Sequence, residues 1–142
     1  MSMTQVAIPT PDGDARAYTF KPQGQGPWPA IIFYFDAPAI RPAMFEMCER
    51  LAGHGYFVLL PDMFWRAGPY EPINMREAFK DEETRRAIFG KFMASTDPEK
   101  STRDTGAFLA WLSKQPEVKG DKVGTTGYCM GCALSLRAAG NY

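Results

Sequence analysis

Apolar residues follow two rhythms along this chain of 142 residues, and each rhythm predicts a different element. Gln5 to Pro9 and Ala15 to Phe20 flank Pro11-Asp12-Gly13-Asp14, a strong turn signal, and together predict a hairpin of two short strands. Residues 21–29 (KPQGQGPWP) read as a Pro/Gly loop. Ala30 to Phe35 is apolar on both faces, the pattern of a strand buried from both sides, and Tyr56 to Leu60 repeats it before Pro61-Asp62. Between them, Met44, Met47, Cys48 and Leu51 recur at three- and four-residue spacing within Pro42 to Gly53. That is a helical period, and Gly53 and Gly55 supply its stop.

Residues 63–74 form an aromatic, proline-containing loop. A helical stretch, with room for a break, follows between Asn74 and Ala94, and its charge-rich part Lys80 to Arg86 is expected to face solvent. Asp97-Pro98 is a clean helix start, with Asp as cap and Pro in the first turn. That helix carries Phe108, Leu109 and Leu112 inward and ends before Pro116. Lys122 to Thr126 is a third short strand, and Cys129 to Ala139 a last helix. After the hairpin the elements alternate strand, helix, strand, helices, strand, helix. The expected fold is therefore α/β, a mostly parallel sheet flanked by helices, in one domain over residues 1–142.

Composition narrows the classes of function. Sixteen Lys+Arg balance sixteen Asp+Glu, so no basic excess exists to hold a phosphate backbone, and nucleic-acid binding is not expected. The longest apolar stretches are far too short to cross a bilayer. The N-terminus, MSMTQVAIPTPDGDARAY, has neither the basic start nor the apolar core of a signal peptide. Three cysteines are an odd number and sparse for a disulfide scaffold. A cytoplasmic, reduced protein is the expectation.

The most informative stretch is Lys122-Val-Gly-Thr-Thr-Gly-Tyr-Cys-Met-Gly131. A strand ends at Gly127, a reactive residue sits two positions on, and Gly131 opens a helix. This is the G-x-S-x-G nucleophile elbow with Cys129 in place of serine. Side chains two positions before and two after the nucleophile would collide with neighbouring elements, which is why glycines stand there. The turn puts the sulfur at a helix N-terminus, where the dipole and free N–H groups favour negative charge. The N–H of Met130 points where an oxyanion would form. Two other readings remain open. Cys129 could be a small buried hydrophobe, as most intracellular cysteines are. With Cys132 it also spells C-M-G-C, the spacing of a thiol–disulfide redox module, although that motif normally follows the first long strand of its fold. Cys48 reads as core packing, and Cys48 with His54 lacks the second pair that a zinc site needs.

G-Y-C-M-G, the P-D-M-F-W-R segment and the F-D-A-P loop together resemble the dienelactone hydrolases, a cysteine branch of the α/β-hydrolase fold. The similarity runs from the hairpin to the helix after Cys129 and maps onto the N-terminal portion of such an enzyme. It implies hydrolysis of small, often carboxylated, ester or lactone substrates by a Cys-His-Asp triad, with no metal or organic cofactor. On this resemblance Cys129 is the nucleophile. Asp36 stands where the family has a glutamate that assists thiolate formation, one methylene shorter, and a turn residue ahead of Pro38 is its alternative. Ala37 and Met130 supply the oxyanion-hole N–H groups, and Arg66 matches an arginine that binds the substrate carboxylate. An arginine fork suits that task, and a solvated loop arginine is its alternative. Cys132 departs from the family, which has glycine or another small residue there.

In this fold the triad runs nucleophile, acid, histidine along the chain. Residues 130–142 (MGCALSLRAAGNY) contain no Asp, Glu or His. The single histidine, His54, closes the helix before the second buried strand, on the flank of the sheet remote from the elbow. The expectation is thus a front part of a longer hydrolase, inactive by itself, with an unfinished sheet edge beside Lys122–Thr126 through which copies could associate. A catalytically silent fragment is the remaining alternative.

Overall fold

Residues whose side chains are apolar on both faces can be satisfied only in the middle of a covered sheet, and two strands occupy that middle. In the computed structural model, which describes residues 2–142, these are β3 (Trp28–Tyr34) and β4 (Phe57–Pro61). Every residue of β4 is buried, as are Ile32, Phe33 and Tyr34 of β3. The hairpin β1 (Ser2–Thr10) and β2 (Gly13–Lys21) continues the sheet on one side, and β5 (Val118–Gly127) on the other, in the order β1-β2-β4-β3-β5.

The sheet is mixed. β1 and β2 pair antiparallel, as do β2 and β4, while β3 runs parallel to both β4 and β5. The expected hairpin is present, and its two antiparallel pairings make the sheet mixed. Its strands, nine residues each, run three or four residues beyond their expected spans, because polar residues such as Thr4, Thr10 and Asp14 hold the ladder as well as hydrophobic ones do. β5 likewise starts earlier than Lys122, at Val118, in a stretch with no apolar signal.

Helix α1 (Pro42–Gly53) matches the expected bounds and buries Met44, Cys48 and Ala52. The stretch from Asn74 to Ala94 is indeed broken. A short α2 (Met75–Ala78) precedes α3 (Glu82–Ser95), and Asn74 and Asp81 each accept hydrogen bonds from the backbone N–H groups of the helix that follows. Helix α4 (Pro98–Ser113) is capped by Asp97, whose carboxylate accepts from Lys100 N–H at 2.9 Å; Phe108 and Leu112 are buried and Leu109 only half-buried. Helix α5 (Met130–Asn141) closes the order. No helix among the described residues is long and apolar enough to cross a membrane.

Candidate active site

The turn between β5 and α5 carries one of two non-glycine residues with positive φ among the described residues, the other being Ala39. Cys129 has φ 56° and ψ −123°, a conformation that an L-residue with a Cβ rarely adopts and that persists only where its surroundings impose it. Three backbone hydrogen bonds impose it here. Tyr128 N–H donates to the Tyr34 carbonyl at 3.4 Å, Gly131 N–H to Tyr128 at 2.9 Å, and Cys132 N–H to Cys129 at 3.0 Å. A Cβ on Gly127 would strike the Gly131 carbonyl, and one on Gly131 would strike the carbonyls of Tyr34 and Phe35. Both glycines are thus needed for the close approach of α5 to β3, the steric role expected of them. Cys129 is a free, exposed thiol.

Register decides what faces that turn. Tyr34, the last residue of β3, pairs with Gly127, the last of β5, so the chain leaving β3 runs beside the elbow. It continues through buried Phe35 to Asp36 and Ala37 and closes a tight turn, with Ala39 N–H donating to the Asp36 carbonyl at 3.0 Å. Arg41 clamps this turn. Its guanidinium donates to both Asp36 carboxylate oxygens at 2.6 and 2.8 Å and to the Ala39 carbonyl at 3.1 Å. The hydrogen bonds to Asp36 hold the Arg41 pKa above its ordinary value. Asp36 therefore lies at the elbow's end of the sheet, but its carboxylate is already engaged.

Ala37 and Met130 line one cleft of about 450 Å³. Its other wall is helical: Phe79 after α2, and Phe89, Gly90 and Met93 of α3, with Arg85 and Arg86 at the rim. Arg86 is paired with Glu82 at 2.6 Å, while Arg85 stands 3.9 Å from the same carboxylate. The sequence placed Lys80–Arg86 on a solvated face, and all of these residues but the half-buried Thr84 are exposed. Their nearness to Ala37 and Met130 follows from how α3 folds back across the sheet, a tertiary fact with no local signal. A larger hollow, about 520 Å³ beneath the Pro69–Asn74 loop, touches none of the elbow residues.

Arg66 does not line this cleft. Its guanidinium donates to both oxygens of fully buried Asp104 at 2.7 and 2.8 Å and to Asp12 at 2.6 Å, and it lies 4.5 Å over the Trp65 ring. Trp65 Nε1–H also donates to Asp104, at 3.1 Å. Arg66 thus ties the hairpin turn and the segment after β4 to α4. His54 caps the C-terminus of α1, its N–H donating to the Leu51 carbonyl at 3.0 Å. Since α1 returns the chain to the start of β4, His54 sits at the amino end of the parallel strands, opposite the end that carries the elbow. No cluster of three or more metal-ligating side chains occurs among the described residues.

A parallel β3–β4–β5 core with a strained strand–turn–helix corner at the carboxyl end of β5 defines the α/β-hydrolase class. The chain belongs to the dienelactone hydrolase family, whose family model matches residues 15–142. It is 30% identical to a carboxymethylenebutenolidase of Pseudomonas sp. (strain P51), over 81% of this chain and 46% of that one. It is 27% identical to a carboxymethylenebutenolidase of Pseudomonas putida, over 94% of this chain and 54% of that one. Among solved structures it is similar to a dienelactone hydrolase-like promiscuous phosphotriesterase, P91, from metagenomic libraries. The TM-score is 0.65 at 26% identity, over 98% of this chain and 54% of that one. The chain spans about half the length of the curated relatives it matches.

Proposed function

We propose that Cys129 is the nucleophile of a hydrolase acting on small esters or lactones. The observation that carries this reading is the strained backbone of Cys129, which presents an exposed sulfur at the N-terminus of α5 beside the cleft shared by Ala37 and Met130. The sulfur attacks the acyl carbon, an S–C bond forms, and the carbonyl oxygen takes negative charge. The N–H groups of Met130 and Ala37 receive that oxyanion. Collapse expels the alcohol, or opens the lactone ring, and leaves a thioester that water then hydrolyses.

The cleft supports a substrate that is partly apolar and bears a carboxylate. Phe79, Phe89 and Met93 supply the apolar wall, and Arg85 and Arg86 the positive rim. Arg66, given this role by resemblance, is held by Asp104 and Asp12, so the carboxylate contact passes in this proposal to Arg85, since its neighbour Arg86 is itself paired with Glu82. Asp36 enters with a narrower part than resemblance implies: paired with Arg41, it fixes the turn that carries the Ala37 N–H.

Releasing the thioester requires a base, and residues 130–142 hold no acid or histidine to provide one. The 142 residues alone are therefore expected to take up an acyl group without turning over. Exposure to an activated aryl ester, followed by intact mass and peptide mapping, should show one acyl group on Cys129 and none in Cys129→Ala. Equal acylation of Cys129→Ala would sink the assignment.

A further inference from the structure

Cys132 has no place in ester hydrolysis, yet the fold puts it one turn from the proposed nucleophile. Cys129 is the N-cap of α5 and Cys132 the third residue of that helix. The hydrogen bond from Cys132 N–H to the Cys129 carbonyl, 3.0 Å, closes a four-residue turn. Such a turn brings its first and last Cα atoms within about 7 Å, close to the roughly 4.4–6.8 Å that a disulfide spans. Cys129 makes no side-chain capping hydrogen bond, so its sulfur is not committed to the helix end. Both thiols are free and exposed, whereas Cys48 is fully buried in α1 and closed to solvent.

We propose that Cys129 and Cys132 form a peroxide-responsive thiol pair, in which Cys132 resolves the oxidised nucleophile as a reversible intrahelical disulfide. The Cys129 sulfur attacks one oxygen of hydrogen peroxide, the O–O bond breaks, and hydroxide leaves and is protonated to water. The product is a sulfenic acid at Cys129. The Cys132 sulfur then displaces the hydroxyl from that S–OH group, giving its own proton to the departing hydroxide, and an S–S bond forms. Two thiols and one peroxide become one disulfide and two waters; each sulfur loses one electron and the peroxide gains two. The disulfide withdraws the nucleophile from ester chemistry and shields it from irreversible oxidation to sulfinic acid. None of these steps requires that an ester ever be cleaved, so the proposal goes beyond the hydrolase reading and does not depend on it.

The test treats the reduced 142-residue chain with graded hydrogen peroxide, then alkylates and digests it with trypsin. Cleavage after Lys122 and Arg137 leaves both cysteines in one peptide. The expected product is that peptide lighter by two hydrogens, resistant to alkylation, and restored by dithiothreitol. Oxygen added at Met130 in the same peptide is distinguishable, since it adds mass and leaves both thiols alkylatable. Cys132→Ser, a change at an exposed position, should instead yield a dimedone-trapped sulfenic acid at Cys129 and several-fold more sulfinic acid at equal dose. Two results overturn the proposal: equal sulfinic acid at Cys129 in both proteins with Cys132 still alkylatable, or oxidation of Cys132 only into a disulfide between chains.

Discussion

The two flanks of β3 are built differently. On one side lies β4, whose five residues are all buried, backed by the hairpin and by α1. On the other lies β5, none of whose ten residues is buried and whose outer edge pairs with no strand among the described residues. The elbow sits on the second, open flank. Its shape is nonetheless imposed by β3 and the residue just beyond it, because α5 approaches the Tyr34 and Phe35 carbonyls, and β3 is itself held by pairing with β4. The lesson is that a strained turn needs one rigid neighbour and not a complete enclosure. Function that demands enclosure, such as delivery of a base to Cys129, is a separate requirement.

The largest effects should come from breaking the closed flank. Asp104 is fully buried and its charge is balanced by Arg66 and by Trp65 Nε1–H. Removing one partner of a buried pair strands the other, so Arg66→Ala should cost about 3–5 kcal/mol, read as a lower urea midpoint. Leu59→Ala in β4 should cost about 2–5 kcal/mol by the same measure. Lys119→Ala, on the exposed start of β5, should stay within about 0.5 kcal/mol. Comparable losses on both flanks would erase the contrast.

Next in size is the contact that joins the flanks. Gly131→Ala puts a Cβ against the Tyr34 and Phe35 carbonyls, backbone atoms that cannot swing aside. A loss of about 1–3 kcal/mol is expected, together with loss of acylation at Cys129 as α5 shifts away from β3. Retained stability and retained acylation would mean that α5 is held by something else.

The cysteines sharpen the contrast through pH. Burial pushes the Cys48 thiol well above its ordinary value, and Glu49 adds to the shift. In the unfolded chain the same thiol ionises near about 8.5. Folding thus retains a proton that unfolding releases, so this contribution is whole below about pH 8.5 and declines as pH rises above it. The slope approaches about 1.4 kcal/mol per pH unit. Tyr34, raised to about 12 by burial, adds a like decline only at still higher pH. Urea midpoints from pH 7.5 to about 9.5 should fall for the parent and fall less for Cys48→Ala, which starts lower.

How far these features could be foreseen depended on whether their cause was local. Alternating glycines around Cys129, the double-sided apolar runs of β3 and β4, and the spacing in α1 all state local requirements; α1 stands where the sequence puts it, while β3 begins two residues earlier and ends at Tyr34, and β4 is shifted one residue on, to Phe57–Pro61. The true length of β5 left no such mark, because within Val118–Asp121 (VKGD) only Val118 pairs with β3, opposite Trp28, and the register shifts before Ala30 meets Val123. Side-chain partners were less legible still. Arg66 looks the same in the amino-acid sequence whether it meets a substrate or Asp104, and Asp104 is 38 residues away along the chain. Arg85 and Arg86 looked like a solvated face and are one; only the fold-back of α3 sets that face at the rim of the cleft beside Met130.

The smallest effect tests the strain itself. At φ 56° a Cβ is a liability, and glycine reaches that region without penalty. Cys129→Gly should therefore stabilise the chain by about 0.5–1 kcal/mol, after glycine's greater freedom in the unfolded state is set against the relief. Ala133→Gly, four residues on in the body of α5, should lose about 1 kcal/mol, because there glycine brings only the entropic cost. The opposite signs are the readout, since cavity or hydrophobic effects at two exposed positions would move both midpoints the same way. A loss at both sites would show that the elbow is relaxed. A gain at Cys129 alone would show that the molecule gives up stability at this one residue to hold its sulfur forward.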